Sequence, residues 1–164
     1  KTFGPSVKVK ISDEVLAGQS KPGDGWALSS PEELNRRSVY IHVKRSLITP
    51  LLSSFDFPDP DSSCEARFRT TPPTQALGMI NGEFLNEQAG RLAERLGKES
   101  PGDFAGQVRR AYRLALARDA DEADLRRAEE LVADLRKNHG ADDREALRLF
   151  CLMVYNLNEF IYLD

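Results

Sequence analysis

The residues best suited to chemistry lie in one stretch, SFDFPDPDSSCEARF at 54–68, where Asp56, Asp59, Asp61 and Glu65 set carboxylates at short intervals with Ser62 and Ser63 between them. Hard oxygen donors at such spacing are the ligand type that calcium takes. The spacing departs from an EF-hand loop: with Asp59 as position 1, position 6 is Cys64 where the sharp turn needs glycine, and position 12 is Thr70 where the bidentate Glu belongs. The alternative is structural, with the aspartates shaping proline turns and pairing with Arg45, Arg67 or Arg69.

Flanking that acidic loop, Arg36, Arg37, Lys44, Arg45, Arg67 and Arg69 supply cations. With Tyr40 beside them, Arg45, Arg67 and Arg69 would line a groove for an anion or an anionic saccharide, since the planar guanidinium fork takes carboxylate or sulfate in pairs of hydrogen bonds. Acids and bases are nearly balanced here, which favours an internal network, because buried charge needs a partner. A hydrolytic enzyme would need Asp56, Asp59, Asp61 or Gln75 to converge in a cleft, and paired carboxylates fix a glycosidase mechanism only through their spatial separation. The only histidines are His42 and His139, and no serine sits in a G-x-S-x-G elbow, so a nucleophilic triad has no sequence support.

The remaining composition bounds the reading further. With 164 residues, 40% of them hydrophobic and 30% charged, the chain fits one globular domain that would bury about 70% of its unfolded surface. The 23 Lys and Arg against 26 Asp and Glu, interspersed along the chain, argue against a nucleic-acid partner. No apolar run approaches the roughly 18 residues of a membrane span. Cys64 and Cys151 form no C-x-x-C or C-x-x-C-H element, so zinc and covalent haem are not expected and no cofactor is assigned here. Their pairing depends on the redox compartment. The chain opens KTFGPSV without an initiator Met, and reads as a fragment of a longer protein.

The elements that must position these residues are mostly helical. Val7, Val9 and Ile11 alternate with polar neighbours as a short strand or extended arm would, and a Gly/Pro-punctuated loop follows to Trp26, the core anchor of that segment. Ser30-Pro31-Glu32-Glu33 is a helix start. Alternation of Val39, Ile41 and Val43 predicts a strand over 37–45, with Tyr40, His42 and Lys44 on its other face. Residues 48–69, rich in proline and aspartate, read as a long ordered loop. From Pro73 on, the 3-and-4 spacing predicts helices with Ala76, Leu77 and Ile80 inward, then Phe84, Leu85, Ala89, Leu92, Ala93 and Leu96. Next come Phe104, Val108, Ala111, Leu114 and Ala115, and after the Asp121 cap Leu125, Ala128, Leu131, Val132 and Leu135 up to Gly140. A last helix from about Asp143 buries Leu147, Phe150, Cys151, Val154 and Leu157. The expected fold is mainly α: an antiparallel helical bundle with a small N-terminal β element and a long ordered loop, in a single domain over 1–164. Residues 1–30 would form an arm and loop, 31–70 the short helix, strand and polar loop, and 71–164 the helical part.

RRSVYIHVKRSL at 36–47, SFDFPDPDSSCEARF at 54–68, TTPPTQALGMIN at 70–81, ALARDADEADL at 115–125 and NLNEFIYLD at 156–164 together resemble the domain of unknown function numbered 1553, of planctomycete-type bacteria. GPSV at 4–7 is similar to that family's opening motif, and Pro73, Gln75, Ala76 and Leu77 match its R-T-x-P-x-Q-A-L signature. The resemblance implies the C-terminal module of a large multidomain protein, often with a cytochrome-c-like domain upstream whose haem motif this chain lacks. It implies an exported, periplasmic or cell-envelope setting, and establishes no reaction. The expected function is accordingly an interaction or scaffold module that packs on upstream domains of its own polypeptide. The alternatives are a carbohydrate-related or other hydrolytic component using the Asp56 to Gln75 loop, and non-catalytic anion or saccharide binding.

Overall fold

Ser30 begins the first helix that the sequence dictates outright. Its hydroxyl accepts from Glu33 N at 3.4 Å and the Glu33 carboxylate accepts from Ser30 N at 3.1 Å, with Pro31 in the first turn, so free helix-end donors are satisfied reciprocally. The computed structural model describes residues 4–66 and 73–162. Among these the protein is mainly α, with nine α-helices and no sheet. The chain divides into two compact units, Lys1–Thr71 and Pro72–Asp164.

The first unit holds α1 (Asp13–Ala17), α2 (Pro31–Leu34), a 3-10 turn at Ser38–Tyr40 and α3 (Pro50–Ser54). Its small core is Ile11, Trp26 and Leu47, with Val9 and Leu16 against it, and the Trp26 indole donates to Val9 O at 2.9 Å. Trp26 is therefore the expected anchor. The strand expected over 37–45 does not form. Tyr40 N donates to Arg37 O and Ile41 N to Ser38 O, closing a tight turn that leaves Val39 81% exposed. A strand is held by a ladder, and only Val7 supplies one: it donates to Tyr40 O at 2.7 Å and accepts from His42 N at 2.8 Å, a single parallel bridge. The Arg36 guanidinium lies 4.0 Å over the Tyr40 ring and fixes the turn instead. The β element thus shrinks to isolated bridges, and the expected long loop is interrupted by α3, which Pro50 opens.

The second unit runs α4 (Pro73–Asn81), α5 (Glu83–Glu99), α6 (Phe104–Leu116), α7 (Glu122–His139), α8 (Asp143–Tyr155) and α9 (Asn158–Ile161). Caps set most of the boundaries. Asp103, Asp121 and Asp142 each accept a first-turn N–H of the helix they open. Gly140 ends α7 in the left-handed region at φ 65, where a Cβ would be strained. Leu96, Val108, Phe150, Cys151 and Val154 are the largest fully buried side chains, joined by Leu85, Ala89, Leu92, Ala93, Ala111, Ala128, Val132 and Leu147. These follow the predicted apolar spacing. The exceptions are Leu77, Ile80 and Phe84, which are 57%, 49% and 55% exposed, exposed Ala76 and Leu114, and Leu157, which is half-buried and lies beyond the end of α8 at Tyr155. On α4 it is Gln75 and Met79 that point inward, a register offset that hydrophobicity alone does not reveal.

α8 is the helix around which the unit packs, touching α4, α5, α6, α7 and α9. Arg148 reaches Asn86 at 2.8 Å and Arg144 reaches Glu94 at 3.1 Å, so contacts run down α5 as they run up α8 and the pair is oppositely directed.

Candidate functional site

Two polar constellations in the second unit are built by the helix packing, and of the candidate residues named from the sequence only Gln75 touches either, at the edge of the second. The first lines a groove of about 700 Å³ beside the N-terminus of α8. Its apolar walls come from Ala93, Phe104, Val132 and Leu147, and Gly90, Ala93 and Gly97 give α5 a smooth side there. The rim carries Arg136, Arg144 and Arg148 among Glu94, Asp142, Asp143 and Glu145. Each guanidinium is answered from within: Arg136 by Asp143 at 2.9 Å, Arg144 by Glu94 at 3.1 Å, and Arg148 by both oxygens of Glu145, at 2.7 and 2.8 Å. The Arg148 hydrogen bonds hold the Glu145 carboxyl below the usual carboxylate range and raise Arg148 in turn. The lining includes no serine, histidine or cysteine, so neither a hydroxyl or thiol nucleophile nor an imidazole base lines the groove.

The second constellation ties the C-terminal segment down. Arg118 grips Glu159 through Nε at 2.7 Å and Nη2 at 3.0 Å, while its Nη1 donates to Asp124 at 2.7 Å. Arg127 binds the other Asp124 oxygen at 2.7 Å, and the Asp121 backbone N–H adds a third donor at 3.2 Å. Asp124 is only 4% exposed. Burial pushes its carboxyl up, but the hydrogen bonds from Arg118 and Arg127 outweigh that and hold it at about 2. Buried Tyr112 lies 5.0 Å under Arg118, and burial, then the Asp124 charge, raises its phenol. Within α9, Phe160 rests on Tyr155 with ring centroids 5.0 Å apart, and beyond the helix the Tyr162 hydroxyl reaches Gln75 at 3.4 Å. Gln75, Arg118, Asp121, Asp124, Glu159 and Tyr162 therefore contribute to polar ties within the second unit.

The residues that spacing proposed fare differently. Asp59 accepts from Asp61 N at 2.9 Å, a local turn, and Asp61 pairs loosely with Arg45 at 3.7 Å with both side chains well exposed. Asp56 is half-buried at φ 56, and Glu65 is exposed. Among the described residues no group of three His, Cys, Asp or Glu stands close enough to hold a metal ion. Tyr40 is covered by Arg36, and Gln75 is buried on α4. Arg67 and Arg69 lie outside the described residues. Both cysteines are free thiols, Cys64 exposed and Cys151 buried. The groove and the Arg118 network escape a reading of the sequence because the ties that close them, Arg118 to Glu159, Arg144 to Glu94 and Arg148 to Asn86, join residues tens of positions apart. The one local signal is the Asp121-x-x-Asp124 cap, in which a carboxylate three positions into a helix turns back to the chain.

A family model described as "Protein of unknown function (DUF1553)", PSD1, matches residues 1–132. The motif segments at 4–7, 36–47, 54–68, 70–81 and 115–125 fall within that match, and NLNEFIYLD lies beyond it. No curated protein and no solved structure matches the chain.

Proposed function

Given that this chain belongs to the DUF1553 family, we propose that it is a non-catalytic interaction module, which packs on neighbouring domains of a larger exported or envelope-associated protein. The observation that carries the reading is the row of Leu77, Ile80 and Phe84, all about half exposed on α4 and the first turn of α5. α4, PTQALGMIN, contains no charged residue at all. A solvated helix keeps charge on its outer face, and a face that combines exposed large apolar side chains with no charge is the kind that another protein surface covers.

The polar chemistry supports the same reading. The groove arginines are neutralised by the groove's own carboxylates, and the Arg118 network is spent on holding α7 and α9. An antiparallel bundle of α5 to α8 serves here as a rigid mount for α4. The decisive experiment is hydrogen–deuterium exchange across residues 73–84, in this chain alone and in a longer polypeptide that carries it with its upstream domains. Slower exchange confined to α4 and the start of α5 in the longer polypeptide is expected. Equal exchange in both would sink the docking reading.

A further inference from the structure

In the first unit, Lys8 and Lys44 come from distant parts of the chain and bring their ammonium groups to consecutive carbonyls of one turn. Lys8 Nζ donates to Gly25 O at 2.6 Å, and Lys44 Nζ donates to Asp24 O at 3.0 Å. No carboxylate among the described residues stands within ion-pairing reach of either lysine. Each ammonium has three donors and spends one on the turn. Lys21 adds a further positive charge to the same turn, and Asp24 is the one acid on it.

The turn itself is open. Gly23 and Gly25 take φ 73 and 69, and a Cβ at either would meet nothing within 4 Å. Gly23, Asp24 and Gly25 are exposed, and Trp26, the next residue, is anchored in the core. The His42 ring lies 5.8 Å from the Trp26 ring, with its Nδ1 3.4 Å from Ser6 Oγ. Ser6 and Lys8 flank Val7, so in extended backbone they share a side. Two like charges at one turn repel, and carbonyl dipoles offset only part of that cost.

We propose that Lys8 and Lys44, around the Gly23–Gly25 turn, form a binding site for a tetrahedral oxyanion, a phosphate or sulfate group, with the Ser6 hydroxyl and the His42 ring at its edge. Compact ammonium groups suit a tetrahedral dianion, which accepts in several directions, whereas planar carboxylates are matched by the arginine fork. The site lies in the first unit and is independent of the α4 docking reading.

The test is a titration of the full chain, labelled with ¹⁵N, with sodium phosphate, sodium sulfate and sodium acetate at fixed low ionic strength, following the amides of Gly23, Asp24 and Gly25 and the Trp26 indole N–H. Saturable shifts with phosphate and sulfate are expected, with half-saturation at least tenfold lower than for acetate. Lys44→Gln should raise it about tenfold, and Lys8→Ala likewise, while Arg144→Ala in the other unit leaves it unchanged. An unshifted Trp26 indole signal in the free variants certifies the turn, and if Lys8→Ala disturbs it, Lys44→Gln alone carries the comparison. Linear, unsaturable shifts, an equal response to acetate, or an unaltered half-saturation in Lys44→Gln would overturn the assignment.

Discussion

Arg118 and Glu159, on opposite sides of α7 and α8 in the sequence, meet as a two-point pair at 2.7 and 3.0 Å, and the same guanidinium holds Asp124 at 2.7 Å. One side chain thus joins the end of α6, the start of α7 and α9. Asp124 is the buried partner and Glu159 the half-exposed one, so the two halves of this contact are worth different amounts.

Asp124 should make stability acid-sensitive. Its folded pKa of about 2 lies below the unfolded value, so its contribution is complete above about pH 4 and is lost as pH falls through 2. The shift corresponds to about 2 kcal/mol. Melting curves from pH 5 to pH 2 should lose that stabilisation in the wild type, and Asp124→Asn, already destabilised at pH 7, should show a flatter dependence. Parallel curves for the two would refute the assignment.

Glu159→Gln, by contrast, removes one member of a pair that is 39% and 45% exposed, and should cost no more than about 1 kcal/mol, an effect that shrinks further in high salt. Urea denaturation at two salt concentrations would measure it. A loss as large as that of Asp124→Asn would mean that α9 is structurally central.

The thiols should separate cleanly. Cys64 is exposed, while Cys151 is fully buried and its thiol is pushed up to about 12 by burial. A chromogenic disulfide reagent should therefore label one thiol promptly in the native chain and the second only on unfolding. Prompt labelling of both, with Cys64→Ser still reacting, would contradict the packing around α8.

Phe150 is fully buried and packs edge-on against Phe104 with ring centroids 5.8 Å apart. Phe150→Ala should cost about 3–5 kcal/mol, measured as a fall in the urea midpoint. Leu77→Ser and Phe84→Ser should change stability by no more than about 0.5 kcal/mol, since both side chains are half exposed. The same pair of substitutions should abolish the slower exchange of α4 in the longer polypeptide. A large loss of stability in the isolated chain would show that these side chains are core and not a docking face.

Helix positions in the second unit are legible in the sequence because caps and the 3-and-4 period act locally: Asp121 and Gly140 mark boundaries that the structure reproduces, as Ser30 with Glu33 does in the first unit. Alternation misleads over 37–45 because it states only which side chains share a face. Pairing needs a second edge, and Val7 is too short to provide one. The inward face of α4 defies its hydrophobicity for a related reason. Gln75 and Met79 occupy the buried side although Leu77 and Ile80 are more hydrophobic, which is the order expected if the outer face answers to a different surface. The ion-paired groove is invisible in the sequence because Glu94, Arg136 and Arg148 become neighbours only after three helices pack.

A single residue, Gly82, separates α4 from α5, and a Cβ there would lie 2.4 Å from the Gly78 carbonyl oxygen. Asn86 closes the joint further by donating to Ile80 O and Gly82 O at 2.9 and 3.0 Å. The apolar helix is thereby geared to the bundle. It has no slack with which to search for a partner, any insertion at the joint would rotate the whole apolar row, and a load applied to α4 passes straight into α5.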